Sequence, residues 1–138
     1  VIDFAVDGQP VPQGSMKVIN GRVIHSQGSA LAAWRAAVGL AARQAGATPT
    51  EAPVTLDMVF TLARPKTVKR PYPSVAPDLD KLVRAVLDGL TAIAYRDDGQ
   101  VVEVRASKQY GETPGVRVLL AERSTDPETP QKLFPTNT

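Results

Sequence analysis

Apolar Ile2, Phe4 and Val6 stand at every second position, which predicts a first strand that ends at Gly8. The runs KVI and RVI flank Asn20-Gly21, a dipeptide suited to a type I′ turn, so a hairpin is expected there. Residues 29 to 46 switch to a helical period. Leu31, Trp34, Val38 and Ala41 or Ala42 form the stripe, Ser29 is the expected N-cap and Gly46 the expected stop. A lone Trp at that spacing belongs to the core, although it also offers a stacking surface for a base. Val54, Leu56, Met58 and Phe60 return to a period of two, the mark of a half-buried strand. Farther on, Leu79, Val83, Val86, Leu87, Leu90 and Ile93 recur at intervals of three and four, predicting a helix with one buried face. Pro77 pushes Ala76 toward extended backbone, so this helix starts with Asp78 as N-cap and Leu79 in its first turn. A strand follows in QVVEVRASKQY, with Val102 and Val104 on one face and Val101, Glu103, Arg105 and Ser107 on the other. GVRVLLAE is the next, with Gly111 to Gly115 as the connecting turn. The last residues, rich in proline and poor in apolar side chains, suggest a mobile tail over 122–138 after a single domain of residues 1–121.

Composition narrows the chemistry more than the class. With 138 residues and 43% hydrophobic content, one domain with a modest core is expected. No run of 18 apolar residues and no leader pattern is visible, which points to a cytoplasmic protein with no membrane partner. Zero cysteines remove disulfides, zinc-thiolate sites and thiol nucleophiles, and the single His25 excludes a His-pair motif. Oxygen ligands remain. The net charge of +2 is too mild to identify a partner by itself, since clustering matters more than the total.

Charge is clustered around the second helix. Asp78 and Asp80 stand at its start, and an extended or helix-entry backbone can present both carboxylates together. Asp80, Arg84 and Asp88 fall at i, i+4 and i+8, a spacing at which the cation can bridge both acids. Asp97 and Asp98 come after the helix. Before it lies ARPKTVKRPYPSVAP, where Arg64, Lys66, Lys69 and Arg70 carry four cations without an acid. Such a run is commonly a solvated loop, but here it leads into the carboxylate pair, where cations can hold phosphates. Tyr72 offers a stacking surface or a turn-packing ring. Gln13, Gly14, Ser15 and Lys17 similarly offer backbone N–H groups and a cation to a phosphate, or form an ordinary polar loop. Carboxylates held close repel unless compensated, and hard cations such as Mg²⁺ or Mn²⁺ favour their oxygens. The plain structural alternative is a cap at Asp78, a dipole partner at Asp80 and a turn at Asp98-Gly99.

Distance constrains any joint site. A helix from Leu79 to Thr91 travels about 20 Å, and residues 92 to 97 can return at most about 20 Å when fully extended. The second acidic cluster therefore barely reaches the first, and a third ligand from a second subunit is the other solution.

RPK at 64–66, PDLDKLVRAVLDGL at 77–90 and YRDDGQVVEVRASK at 95–108 resemble the RusA family of Holliday-junction resolvases, and PQGSMK at 12–17 resembles the N-terminal loop of its phage-encoded members. The resemblance extends to about residue 121. It implies an α+β single domain, a mixed β-sheet packed against two main helices, in a homodimeric, Mg²⁺-dependent endonuclease in which Mn²⁺ can substitute. The substrate implied is branched DNA, a four-way junction cut by paired nicks, in a bacterial or phage-infected cell. Metal ligands then fall on Asp78, Asp80 and Asp98, with Asp97 the lesser member of its pair. Lys17, Lys66, Lys69, Arg70 and Lys81 are the expected DNA contacts. Lys81 stands where the family commonly has Asn, and Arg84 where Lys is frequent. A guanidinium does not readily give up a proton, so phosphate clamping is the expected role of Arg84 in catalysis. Two further readings remain: a nuclease of this fold acting on other branched or flapped DNA, and a non-catalytic DNA-binding protein whose acids are structural.

Overall fold

A computed structural model describes residues 1–14, 16–25 and 28–125, with the backbone alone for 16–19 and 22–25. In chain order the elements are β1 (Ile2–Asp7), β2 (Met16–Ile19), β3 (Arg22–His25), α1 (Gly28–Gln44), β4 (Val54–Leu62), α2 (Leu79–Leu90), a short 3-10 turn at Asp98–Gln100, β5 (Val101–Tyr110) and β6 (Gly115–Glu122). A four-stranded sheet in the order β1-β6-β4-β5 carries both helices, and β2 and β3 form a separate hairpin. Asn20 and Gly21 at its tip both have positive φ, 51° and 75°, as a type I′ turn requires.

Burial explains the sheet order. Val54, Leu56, Met58 and Phe60 of β4 are fully buried, and Thr55 is also buried, so β4 is a central strand. It pairs in parallel with β5 and antiparallel with β6. The short turn after β5 therefore does not form a hairpin: the chain crosses the end of β4, where the Gly111 N–H donates to the Leu62 carbonyl at 3.1 Å. The edge position of β5 leaves Val102 and Val104 exposed, at 54% and 37%.

Both helices obey the periods read from the sequence, with corrections at their margins. In α1, Leu31, Trp34, Val38 and Ala42 are buried, and Trp34 belongs to the core. Ser29 lies inside the helix rather than capping it, since α1 already includes Gly28. Its end is as expected. Gly46 takes φ +100°, while the N–H of Ala47 bonds to the carbonyl of Ala42 and that of Gly46 to Arg43, a Schellman closure. In α2, Leu82 and Ala85 join Val86 and Leu90 in the fully buried set, whereas Leu79, Val83 and Leu87 flank it. The helices meet closely at Gly89, where a Cβ would lie 2.9 Å from the Arg35 carbonyl oxygen, so any side chain would push them apart. Of the expected tail over 122–138, Glu122 closes β6 and the Arg123 N–H bonds to the Pro53 carbonyl at 2.7 Å, while 126–138 lies outside the described residues.

Candidate active site and nucleic-acid interface

Asp78 occupies the N-cap of α2 with extended backbone, φ −69° and ψ 138°, yet its side chain makes no capping hydrogen bond. Its nearest cation is Lys81, with Nζ 3.7 Å from the carboxylate, an exposed pair of small energetic weight. Asp80 projects from the first turn, exposed and engaged by no hydrogen bond or ion pair among the described residues. A helix N-terminus thus presents two exposed carboxylates, one weakly paired with Lys81 and neither capping the helix.

The entry to α2 is held from two sides. On one, the Gln13 N–H donates to the Lys81 carbonyl at 2.9 Å, and the Gln13 side chain accepts from Arg35. Arg35 also pairs with Asp88 at 2.9 Å, so Asp88 is not bridged to Asp80 through Arg84 as the i, i+8 spacing suggested. Close packing of the helices at Gly89 brings Arg35 to that carboxylate first. Arg84 remains exposed, with no ion pair among the described residues. On the other side, Lys108 Nζ donates to the carbonyls of Val75 and Pro77 at 2.8 and 2.9 Å. An ammonium from β5 therefore fixes the segment just before Asp78. Sequence reasoning missed this role, because the alternating pattern of β5 gives no sign that Lys108 reaches the helix side.

The second acidic pair divides its labour. The Asp97 carboxylate accepts the Gly99 N–H at 2.8 Å, which makes it the cap of the 3-10 turn. Gln100 completes that cap: its side-chain oxygen accepts from the N–H groups of Arg96 and Asp97, and its amide nitrogen donates to the carbonyls of Thr50 and Ala52, all at 2.9 Å. All four bonds of that amide are directed at backbone, so the turn is locked to the chain before β4. Asp98 is exposed and takes no part in the lock.

The two acidic clusters lie at opposite ends of the fold. β4 and β5 run in parallel from Val54↔Val101 to Leu62↔Tyr110, so Asp98 precedes the first end while Lys108 holds Pro77 near the other. Lys108 is seven residues beyond Val101, about 23 Å along a strand. Tyr95 gives a second marker. Its buried hydroxyl donates to the Leu87 carbonyl at 2.6 Å, near the C-terminal end of α2. Burial first, and then the negative charges of Asp98, Asp88 and Asp97, push that phenol above its ordinary range. Among the described residues no group of three or more acidic, histidine or cysteine side chains converges as a metal site. Within one chain Asp78 and Asp80 stand together at the start of α2, and Asp98 stands apart from them.

Of the expected DNA contacts, Lys66 and Lys69 are exposed and unpaired among the described residues. Arg70 is half-buried, its Nε donating to the Tyr110 hydroxyl at 3.0 Å. Lys81 is drawn to Asp78. The Lys17 side chain lies outside the described residues, as does all of Ser15. Tyr72 is 70% exposed and so does not pack a turn. No helix among the described residues is long and apolar enough to cross a membrane.

Comparison with known proteins bears on the same segments. The sequence model of a family described as "Endodeoxyribonuclease RusA" matches residues 7–121, which takes in both acidic clusters, the basic loop and β5. A protein of Bacillus subtilis (strain 168), "Uncharacterized protein YqaN", is 33% identical over 138 residues, covering 89% of this chain and 97% of that protein.

Proposed function

The chain belongs to the RusA endodeoxyribonuclease family, and from that premise we propose that it cuts four-way DNA junctions by paired nicks, working as a homodimer with Mg²⁺. The observation that carries this reading is the pair of exposed carboxylates at the start of α2, where Asp78 makes no capping bond and holds only a weak ion pair with Lys81. A purely structural role would have spent that side chain on the helix N–H groups. Mn²⁺ is the expected substitute, being another hard cation for carboxylate oxygens.

Dimerisation is supported by the split between the acids. An exposed edge strand offers unpaired backbone groups to another chain, and β5 is such an edge, ten residues long and carrying exposed Val102 and Val104. A two-fold axis beside the middle of β5 would reverse a second copy, so that its Val101 end approaches the first copy's Tyr110 end. The partner subunit's Asp98 then approaches Asp78 and Asp80, and two such sites arise at once. Two related nicks need two related sites.

Each residue has a role in this scheme. Asp78 and Asp80 would hold the ion, with Asp98 supplied across the axis, and the ion when bound would supply water activation and charge neutralisation at the phosphodiester. Arg84, one turn beyond Asp80 and unpaired, clamps the scissile phosphate through its planar donors. Lys81 is positioned to shift from Asp78 to a phosphate once the carboxylate has a cation of its own. Gln100 keeps Asp97 occupied as a cap and thereby presents Asp98.

Incubation of purified protein with a labelled four-way junction, with Mg²⁺ or with EDTA, tests the reading. Paired cuts that need the metal are expected; binding without cleavage would support the DNA-binding alternative, and cleavage of flaps in preference to junctions the other nuclease. The exposed cations give a separate expectation. Replacing Lys66 and Lys69 together by Ala should weaken binding to every DNA shape and reduce the slope of log Kd against log salt by about 2, one for each phosphate that a lysine no longer neutralises. An unchanged slope in a salt titration would mark both lysines as solvated surface.

A further inference from the structure

At the end of β5, one tyrosine holds two arginines. The guanidinium carbon of Arg64 lies 4.9 Å from the centroid of the Tyr110 ring, and Arg70 Nε donates to the Tyr110 hydroxyl at 3.0 Å. These two cations come from either side of Pro65 to Lys69, so Tyr110 closes the basic loop upon itself. None of the ion pairs among the described residues involves either arginine. Glu112 shares an open depression of about 500 Å³ with Ala63, Arg64, Tyr110 and Gly111, but forms no salt bridge there.

Two guanidiniums gathered on one ring, neither ion-paired among the described residues, repel each other, and the arrangement is relieved by an anion. The donors it needs remain unspent. Stacking uses the face of Arg64 and leaves its in-plane N–H groups available, while Arg70 spends Nε on the hydroxyl and keeps its terminal nitrogens. Guanidinium forks of this kind match the geometry of a phosphate. Lys108, two residues before Tyr110 on the same face of β5 and hence about 7 Å away, holds Pro77 and so the approach to Asp78. The paired arginines thus stand at the same end of β5 as the Lys108-held approach to the candidate catalytic acids, the side from which a DNA strand leaves them.

We propose that Tyr110 organises Arg64 and Arg70 as a clamp for a DNA phosphodiester beside the one that is cut. Tyr110 is a positioning residue, and the arginines touch the phosphate. The identity of the anion as DNA rests on the nuclease reading above.

The test is anisotropy of a labelled four-way junction and of a duplex, titrated over salt without divalent metal, for wild type, Tyr110→Phe, Tyr110→Leu, Arg64→Ala/Arg70→Ala and the triple variant with Tyr110→Leu. Tyr110→Phe keeps the stacked Arg64 and loses the bond to Arg70, so Kd should rise about threefold; Tyr110→Leu loses both and should raise it about tenfold. The double arginine variant should lower the salt slope by about 1, since the two arginines neutralise one phosphate. In that background Tyr110→Leu should add nothing, because its effect passes through the arginines; a thermal melt identifies any variant that fails to fold, and Tyr110→Phe then carries the test. Wild-type affinity and salt slope in Tyr110→Phe and the double arginine variant would overturn the clamp while leaving the nuclease reading intact, as would a full additional loss from Tyr110→Leu in the double variant. If wild type binds no DNA at all, the clamp and the nuclease reading both fall. If the variants weaken binding as expected but wild type cuts nothing with Mg²⁺, the arginines stand as a DNA phosphate clamp, its place beside a cut bond is overturned and the nuclease reading falls.

Discussion

Asp80→Asn is expected to abolish cleavage of a four-way junction while leaving binding as tight as wild type or tighter. Loss of even an outer-sphere partner costs a metal site about 10- to 100-fold, so loss of a direct ligand should reduce the rate by at least about 100-fold. Binding moves the other way because the substitution removes a negative charge from a surface that faces phosphates. The fold should hardly notice. Asp80 is exposed and makes no hydrogen bond among the described residues, so its contribution is limited to the dipole of α2, less than about 1 kcal/mol. Single-turnover cleavage, a binding titration and a thermal melt together check the three parts. Mg²⁺-dependent cutting at the wild-type rate would remove Asp80 from the metal site.

Mixing two inactive proteins should restore cutting. If each site joins Asp78 and Asp80 of one copy to the partner subunit's Asp98, a heterodimer of Asp80→Asn with Asp98→Asn collects both lesions in one site and leaves the other complete. Each variant alone should be inactive, and an equal mixture allowed to exchange subunits should regain about a quarter of the wild-type sites, since about half of the dimers are mixed and each of these has one intact site. A mixed dimer nicks one strand, so the product should be nicked junction rather than separated duplexes. Two carboxylate sets held within single chains give a different result: both sites of the heterodimer are then dead, and no mixture recovers. Light scattering on each protein supplies the control that dimers form.

The helices were legible because their periods are local. Leu31, Trp34 and Val38, or Val86 and Leu90, are buried where their spacing puts them. Leu82 escaped because the buried face of α2 is turned toward the side of Leu82 and Ala85, away from the Val83 and Leu87 side that the spacing emphasised. The strands β1 and β4 were legible for the same reason, but their order was not. A short turn between β5 and β6 gives no sequence sign that β4 will lie between them. Within the candidate site, the free carboxylates could be named from type and position. Their supports could not. Lys108 reaches carbonyls 31 and 33 residues away, Gln100 reaches 48 and 50, and Arg35 pairs with an acid 53 residues on. The i, i+4 rule suggested Arg84 for Asp88, but helix packing at Gly89 placed Arg35 closer.

The crossing of β4 by the turn between β5 and β6 has a kinetic consequence. These two strands cannot zip together as a hairpin while the chain folds, because the place beside each is held by β4, from much earlier in the chain. Loop closure must therefore come first, and the late formation of such distant pairings makes for slow folding. Until β4 is seated, neither end of β5 has its neighbour, so Asp98 at one end and the Lys108-held approach to Asp78 at the other acquire their places in the same event. A half-folded chain then presents neither acidic cluster in its folded position, so the cleavage proposed above is withheld from DNA until the sheet is complete.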